Sequence, residues 1–237
     1  MKTTTLLALA AALALPTLAQ AGIVGSPHDF SGETWNIVSS DQNSVCGVCH
    51  QPHHADSSVV PLWIHTTTTP SQFTMYSTGT VAVSRMKAQV SSQPTGASLA
   101  CLSCHDGTVA VNSYAGGVQG GAAVYVTNGA SLGVNLTHTH PISFTYDTAL
   151  AGQDLGVFDP ATKNVLVPDS GTFNIGSDHS VKGFLLNGGN RLECTSCHDV
   201  HNQLGTPFDI TSNPKLVKIV GTQTGKGSLR CRGCHNK

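Results

Sequence analysis

The sequence contains few charged and few aromatic side chains. Charged residues make up 11% of the 237 positions and aromatic residues 5%, whereas an average soluble chain carries about 25% charge. Lys and Arg together number only 12 and form no basic patch, which gives no support for nucleic-acid binding. Disordered chains combine low hydrophobicity with high charge, and this chain lacks the charge. Something other than large apolar side chains must therefore fill its interior.

Long hydrophobic runs are also missing after the N-terminal segment. Residues 1–21 predict an export signal, with Lys2, an apolar stretch LLALAAALALPTLA and a small-residue cleavage site, Ala19-Gln20-Ala21. A membrane anchor is the alternative, but the run is short and Pro16 suits a cleaved signal. No later segment has the roughly 18 apolar residues of a spanning helix. We expect residues 22–237 to form one exported domain without a transmembrane segment, extracellular or on the outer cell surface, with the periplasm as alternative.

Cysteine, by contrast, is abundant and regularly placed. The eight cysteines form four C-x-x-C pairs, and a histidine directly follows each pair. Two thiols one helical turn apart can add to the two vinyl groups of a haem, and the adjacent imidazole can then bind its iron. C-x-x-C-H is the attachment motif of haem c. The predicted cofactor-binding residues are Cys46, Cys49, His50, Cys101, Cys104, His105, Cys194, Cys197, His198, Cys231, Cys234 and His235.

Three other uses of these cysteines explain the pattern less well. A thioredoxin-like redox pair would not recur four times. Zinc knuckles would leave the adjacent histidine in all four motifs unexplained. Structural disulfides suit an exported chain, but a two-residue loop is awkward to close four times. We therefore predict a tetrahaem cytochrome c that binds four haem c groups (iron), with no catalytic residues.

Four macrocycles would supply the missing apolar core, and this expectation sets the predicted fold class. We expect a multihaem cytochrome c of mostly irregular loops, with short α-helices at the C-x-x-C-H motifs and a few short β-strands. The Gly-, Ala- and Val-rich segment 113–136 predicts loops or a short hairpin. The stretch VSRMKAQV, residues 83–90, is a further candidate helix.

The sixth iron ligands are expected to be histidines. After removal of the signal the only methionines are Met75 and Met86, and neither has a context that suggests ligation. Eight histidines lie outside the motifs, of which His54, His138 and His179 have less support. Five favoured candidates for four sites leave one idle or free to serve another subunit. The predicted metal ligands are the motif histidines His50, His105, His198 and His235, together with His53, His201, His65, His140 and His28.

His53 and His201 each stand three residues after a motif histidine. From there neither imidazole can reach the far face of the haem attached by its own motif, although each can serve a haem that packs alongside. By separation in sequence, we expect His201 to bind the iron of the haem on Cys231 and Cys234. We expect His53 to bind that of the haem on the second motif.

The chain resembles a known family at several points along its length. The segments IVGSPHDFSG, CGVCHQPHHA, PLWIHTTT, LACLSCHDGTVAV, HTHPISFTYD, LECTSCHDVHN and CRGCHNK span residues 23–237. Together they resemble the filament-forming multihaem cytochromes of metal-reducing bacteria, of the tetrahaem outer-membrane cytochrome E type. The resemblance implies bis-histidine haems stacked in a continuous chain and subunits that polymerise into conductive extracellular filaments. It also implies an axial histidine taken from an adjacent subunit, for which His28 is the candidate.

These observations predict electron transfer through four covalently bound bis-histidine haems, in a subunit of an extracellular conductive filament. The expected partners are further copies of the chain, other c-type cytochromes and extracellular electron acceptors. The near-neutral composition, with a formal net charge of -1, favours self-association. A soluble periplasmic electron shuttle is the first alternative. A reductase of nitrite, hydroxylamine or a similar species is the second, and it would need one haem with an open coordination position.

Overall fold

A computed structural model describes residues 22–36, 44–56, 59–67, 72–76, 86–165, 179–201, 216–218, 222–223 and 227–236. Most of these residues lie in loops and turns, as the sequence predicts. The five helices of the described residues are α1 (Gly96–His105), α2 (Thr148–Gln153), α3 (Val181–Leu185), α4 (Cys194–Cys197) and α5 (Leu229–Cys234). The strands form three antiparallel pairs, β1 (Ser113–Tyr114) with β2 (Gly117–Val118), β3 (Phe144–Thr145) with β4 (Arg191–Leu192), and β5 (Thr222–Gln223) with β6 (Gly227–Ser228).

Local sequence explains where the helices begin. The carboxylate of Asp147 accepts the backbone N–H of Leu150 at 2.9 Å and caps α2. The hydroxyl of Ser180 accepts the N–H of Gly183 at 3.0 Å and caps α3. Side chains of this kind satisfy backbone N–H groups that have no partner in the first helical turn. Short helices can therefore start without long apolar runs.

Three of the four motifs lie on helices, and the first lies on a turn. Helices α1, α4 and α5 carry the second, third and fourth motifs. In the first motif the N–H of His50 donates to the carbonyl of Cys46 at 2.9 Å, which is a single turn with helical bonding. The expectation of a helix at every motif is thus wrong at the first.

The candidate helix at residues 83–90 is also not formed where it is described. Residues 86–90 are not helical, and residues 83–85 lie outside the described part of the chain. Along this stretch exposed Lys87 and Gln89 alternate with buried Ala88. A period of two is typical of extended chain, and this alternation explains the error.

The glycine-rich segment does form a short hairpin, and one of its glycines is required by packing. Strands β1 and β2 pair with Tyr114 opposite Gly117. Further on, Gly120 has φ +69°, and a Cβ there would lie 2.5 Å from the Cβ of Trp35. No other residue fits this position without movement of the buried tryptophan. The hairpin predicted from this composition is confirmed.

The apolar interior of the described residues consists of three small clusters. The first contains Phe144, Tyr146, Val181 and Leu192. The second surrounds α1, and the third contains Trp35, Val48, Val111 and Tyr114. Cysteines of the motifs border two of them: Cys234 packs on the first cluster, and Cys49 and Cys104 pack on the third. The side chains thus form separate patches around the motifs.

Candidate haem-binding site

Thiols of successive motifs lie near one another. Cys49 of the first motif interacts electrostatically with Cys104 of the second. The thiols of Cys101 and Cys194 hydrogen bond to each other and join the second motif to the third. Cys197 interacts electrostatically with Cys231, joining the third motif to the fourth. Each motif therefore has a thiol near a thiol of the next motif in the chain.

Most of these thiols are held in the protonated form. Burial raises the pKa of Cys49 to about 12, that of Cys104 to about 11 and that of Cys234 to about 12. The bond between Cys101 and Cys194 raises the pKa of the former and lowers that of the latter. Redox-active C-x-x-C pairs need a lowered thiol pKa, so the raised values at Cys49, Cys104 and Cys234 do not suit thioredoxin-like chemistry at the first, second and fourth motifs. All eight cysteines are free thiols in the structure.

Three motif histidines each have a non-motif histidine beside them. The ring centroids of His50 and His201 are 6.1 Å apart, with 33° between the ring planes. Those of His105 and His28 are 5.9 Å apart at 48°. Those of His235 and His140 are 6.2 Å apart at 68°. Each pair combines a histidine from a motif with a candidate sixth ligand.

This spacing fits two imidazoles on opposite sides of one metal ion. A metal–imidazole nitrogen bond is about 2 Å long, so two trans imidazoles place their ring centroids roughly 6 Å apart. Direct ring contact could give a similar centroid distance, but it would not select one motif and one non-motif histidine three times. The residues present therefore fit haem iron, for which the chain need supply only two axial ligands.

Backbone carbonyls fix the orientation of three of these six rings. The Nδ1–H of His50 donates to the carbonyl of Pro61 at 3.0 Å, and that of His105 donates to the carbonyl of Ala130 at 2.8 Å. The Nδ1–H of His140 donates to the carbonyl of Pro141 at 2.8 Å. A carbonyl only accepts, so the proton is on Nδ1 and the lone pair is on Nε2. This is the arrangement by which proteins orient histidine ligands.

His28 is well suited to be a ligand within its own chain. Burial, together with the nearby His105, His198 and His201, lowers its pKa to about 4. The imidazole is therefore neutral at pH 7, as metal binding requires. Its Nδ1 is buried without a hydrogen-bond partner. The position beside His105 favours an axial role in the same subunit over the exchange between subunits that the resemblance implies.

His65 has the surroundings of a core histidine. It is 2% exposed and lies between the rings of Trp63 and Tyr114. Burial lowers its pKa, while hydrogen bonds from the ring to the backbone at Val48 and Ser113 raise it. The bond to the Ser113 carbonyl is 3.0 Å long and involves Nδ1. These two bonds hold three segments of chain together, so a role in packing accounts for His65 without iron.

The remaining non-motif histidines lie at the surface. His53, predicted as a ligand, is exposed, as are His54, His138 and His179. The predicted partners also differ from the spatial ones, since His201 lies beside His50, whereas His140 is the histidine next to the C-terminal motif. The assignments by sequence separation stay predictions, because histidines close in sequence need not serve neighbouring motifs in space.

One buried residue near the motifs was not predicted from the sequence. Glu193 precedes Cys194 and is 3% exposed. It is one of only two glutamates in the chain, the other being Glu33. The sequence did carry a sign of its importance, because a glutamate next to an attachment motif is unusual in a chain with so few charged residues.

No protein-family model matches the chain, and no curated protein matches it either. Within the described residues, no three His, Cys, Asp or Glu side chains form a group that could hold a metal ion. The helices of the described part of the chain are too short or too polar to cross a membrane.

Proposed function

We propose that this protein is a tetrahaem c-type cytochrome that transfers electrons along a row of bis-histidine haems. The observation that carries the proposal is the set of three histidine pairs, spaced 5.9 to 6.2 Å between ring centroids. Each pair joins a C-x-x-C-H histidine to a histidine outside the motifs, and two axial imidazoles are a ligand set that makes haem iron low-spin.

The closeness of successive attachment sites supports conduction rather than chemistry at one centre. Haem iron, when bound, accepts and releases one electron at a time. The contacts between Cys49 and Cys104, Cys101 and Cys194, and Cys197 and Cys231 keep successive attachment sites adjacent. The protein is accordingly a carrier of electrons, not an enzyme.

The residues of the chain hold and shield the cofactors in this proposal. His50, His105 and His235 would bind three of the irons, with His201, His28 and His140 as their second ligands. The fourth iron would be bound by His198, and its second ligand would come from the remaining histidines outside the motifs. The carbonyls of Pro61 and Ala130 orient two of the motif imidazoles. The three apolar clusters pack around the attachment sites and would exclude water from the haems. Exclusion of water lowers the reorganisation energy of electron transfer.

We further propose that the exported chain assembles into an extracellular filament. Large apolar side chains are exposed at several sites: Val24 at 66%, Leu62 at 49% and Leu155 at 83%. With 11% charged residues, the surface offers little repulsion between copies. Burial of such side chains between subunits would stabilise a polymer.

The first experiment is to produce the full chain in a host that attaches haem c. We expect a mass increase of four haems per chain, four haems by pyridine haemochrome assay and only low-spin ferric signals in electron paramagnetic resonance. Absence of covalent haem would refute the proposal. A stoichiometric high-spin signal would favour the reductase, and electron microscopy showing monomers alone would favour the periplasmic shuttle.

A further inference from the structure

Glu193 is a buried carboxylate with a nearly complete set of partners. Its Oε1 accepts the hydroxyl of Thr95 at 2.7 Å and lies 3.5 Å from Nε of Arg191. Its Oε2 accepts the hydroxyls of Ser98 at 2.5 Å and Ser143 at 3.0 Å. Removing a carboxylate from water is costly unless its oxygens are satisfied in this way. The four partners together engage both carboxylate oxygens.

The same network connects the helices of two attachment motifs. Ser98 lies on α1, which carries the second motif, and its Oγ also accepts the N–H of Cys194 at 2.9 Å. The N–H of Glu193 donates to the hydroxyl of Ser196 at 2.9 Å, within the third motif. Thr95 stands at the start of α1. The carboxylate is therefore in the contact between α1 and α4.

A role in packing alone does not explain the charge. The three hydroxyl donors could be satisfied by a neutral amide of similar size, but the fourth partner, Nε of Arg191 at 3.5 Å, is a cation that pairs with a carboxylate. The carboxylate is retained one residue before Cys194, in a chain with only two glutamates. In a low-dielectric interior a charge acts strongly on its neighbours. The redox groups nearest to this charge would be the haems on the second and third motifs.

We propose that Glu193 is a positioning residue that holds the second and third attachment motifs together and lowers the reduction potentials of the haems bound there. This inference rests on the haem binding proposed above. A negative charge stabilises the ferric form, which carries one more positive charge than the ferrous form, so it lowers the potential. The haems on the second and third motifs are thereby distinguished from the other two.

The test uses the haem-loaded full chain and a spectroscopic redox titration that resolves four midpoint potentials. Glu193→Gln removes the charge and keeps the size. We expect four low-spin haems, two of which become about tenfold easier to reduce, equivalent to 59 mV for a one-electron couple. The control Glu33→Gln removes the other glutamate, which is exposed, and should leave all four potentials unchanged.

A second variant, for which the expected shift in reduction potential is in the opposite direction, keeps the inference testable if Glu193→Gln does not fold. Ser98→Ala removes one donor and leaves the carboxylate less neutralised, so the same two potentials should fall. Unchanged potentials in either variant, or an equal shift of all four haems, would overturn the role of Glu193. A wild-type chain without haem would instead defeat the proposed function, so the two failures are distinguishable.

Discussion

The segment THTH, residues 137–140, allows a sharp test of the axial ligands because it holds two histidines of different predicted role. His140 lies 6.2 Å from His235 and keeps its Nε2 lone pair free through the Nδ1–H bond to Pro141. His138, two residues earlier, is also exposed. The perturbation is His140→Ala, and the matched control is His138→Ala. Both substitutions remove the same side chain from the same loop.

The expected size of the effect follows because His140 is proposed as a ligand of one haem out of four. His140→Ala should convert about a quarter of the iron to high spin and allow the reduced protein to bind one carbon monoxide per chain, whereas the wild type binds none. All four haems should stay attached, because the thioethers do not depend on the sixth ligand. At an exposed site without a ligand role, a substitution changes stability by no more than about 0.5 kcal/mol. The control should therefore resemble the wild type in every respect.

The assay combines electron paramagnetic resonance of the oxidised protein with a carbon monoxide titration of the reduced protein. Four low-spin haems in His140→Ala and no carbon monoxide binding would refute the assignment of His140 to the fourth motif. Equal effects of the two variants would show that the loop, and not the imidazole, controls the iron. Either result would leave the assignments of the other two pairs to be tested separately.

Three further predictions concern ligation and stability. His201→Ala should make the haem of the first motif high-spin, as identified by nuclear magnetic resonance of the haem methyl groups; a change at the fourth motif would instead support the order expected from sequence separation. Tyr146→Phe should lower the free energy of unfolding by about 1–3 kcal/mol, because its hydroxyl donates to a backbone carbonyl at 2.5 Å. The control is Tyr125→Phe, at an exposed position. Equal losses of stability for the two variants in guanidinium unfolding would refute this reasoning. Gly120→Ala should lower the free energy of unfolding by about 2–4 kcal/mol, because the position has positive φ and an added Cβ would clash with a tryptophan. The control Gly121→Ala, at a position with positive φ and open space, should lower it by about 1–2 kcal/mol. Similar losses in the two variants would rule out the steric clash.

The sequence determined those features that depend on residues close together in the chain. The C-x-x-C-H spacing is a local property, because both thiols and the imidazole must meet one cofactor within one helical turn. The hairpin at Ser113–Val118 is local for the same reason, since Ala115 and Gly116, both with positive φ, supply its turn. The short helices and the prevalence of loops followed from the scarcity of large apolar residues. These expectations needed no knowledge of which segments pack together.

The tertiary structure decided which residues from distant segments meet. His28 lies beside His105, and His201 lies beside His50, although long stretches of chain separate the members of each pair. A lone histidine carries no sign of its partner, because contacts between loops depend on the whole path of the chain. Burial likewise marked His65 as a packing residue. Glu193 acquired its surroundings only because Ser98 and Ser143 reach it from elsewhere in the chain.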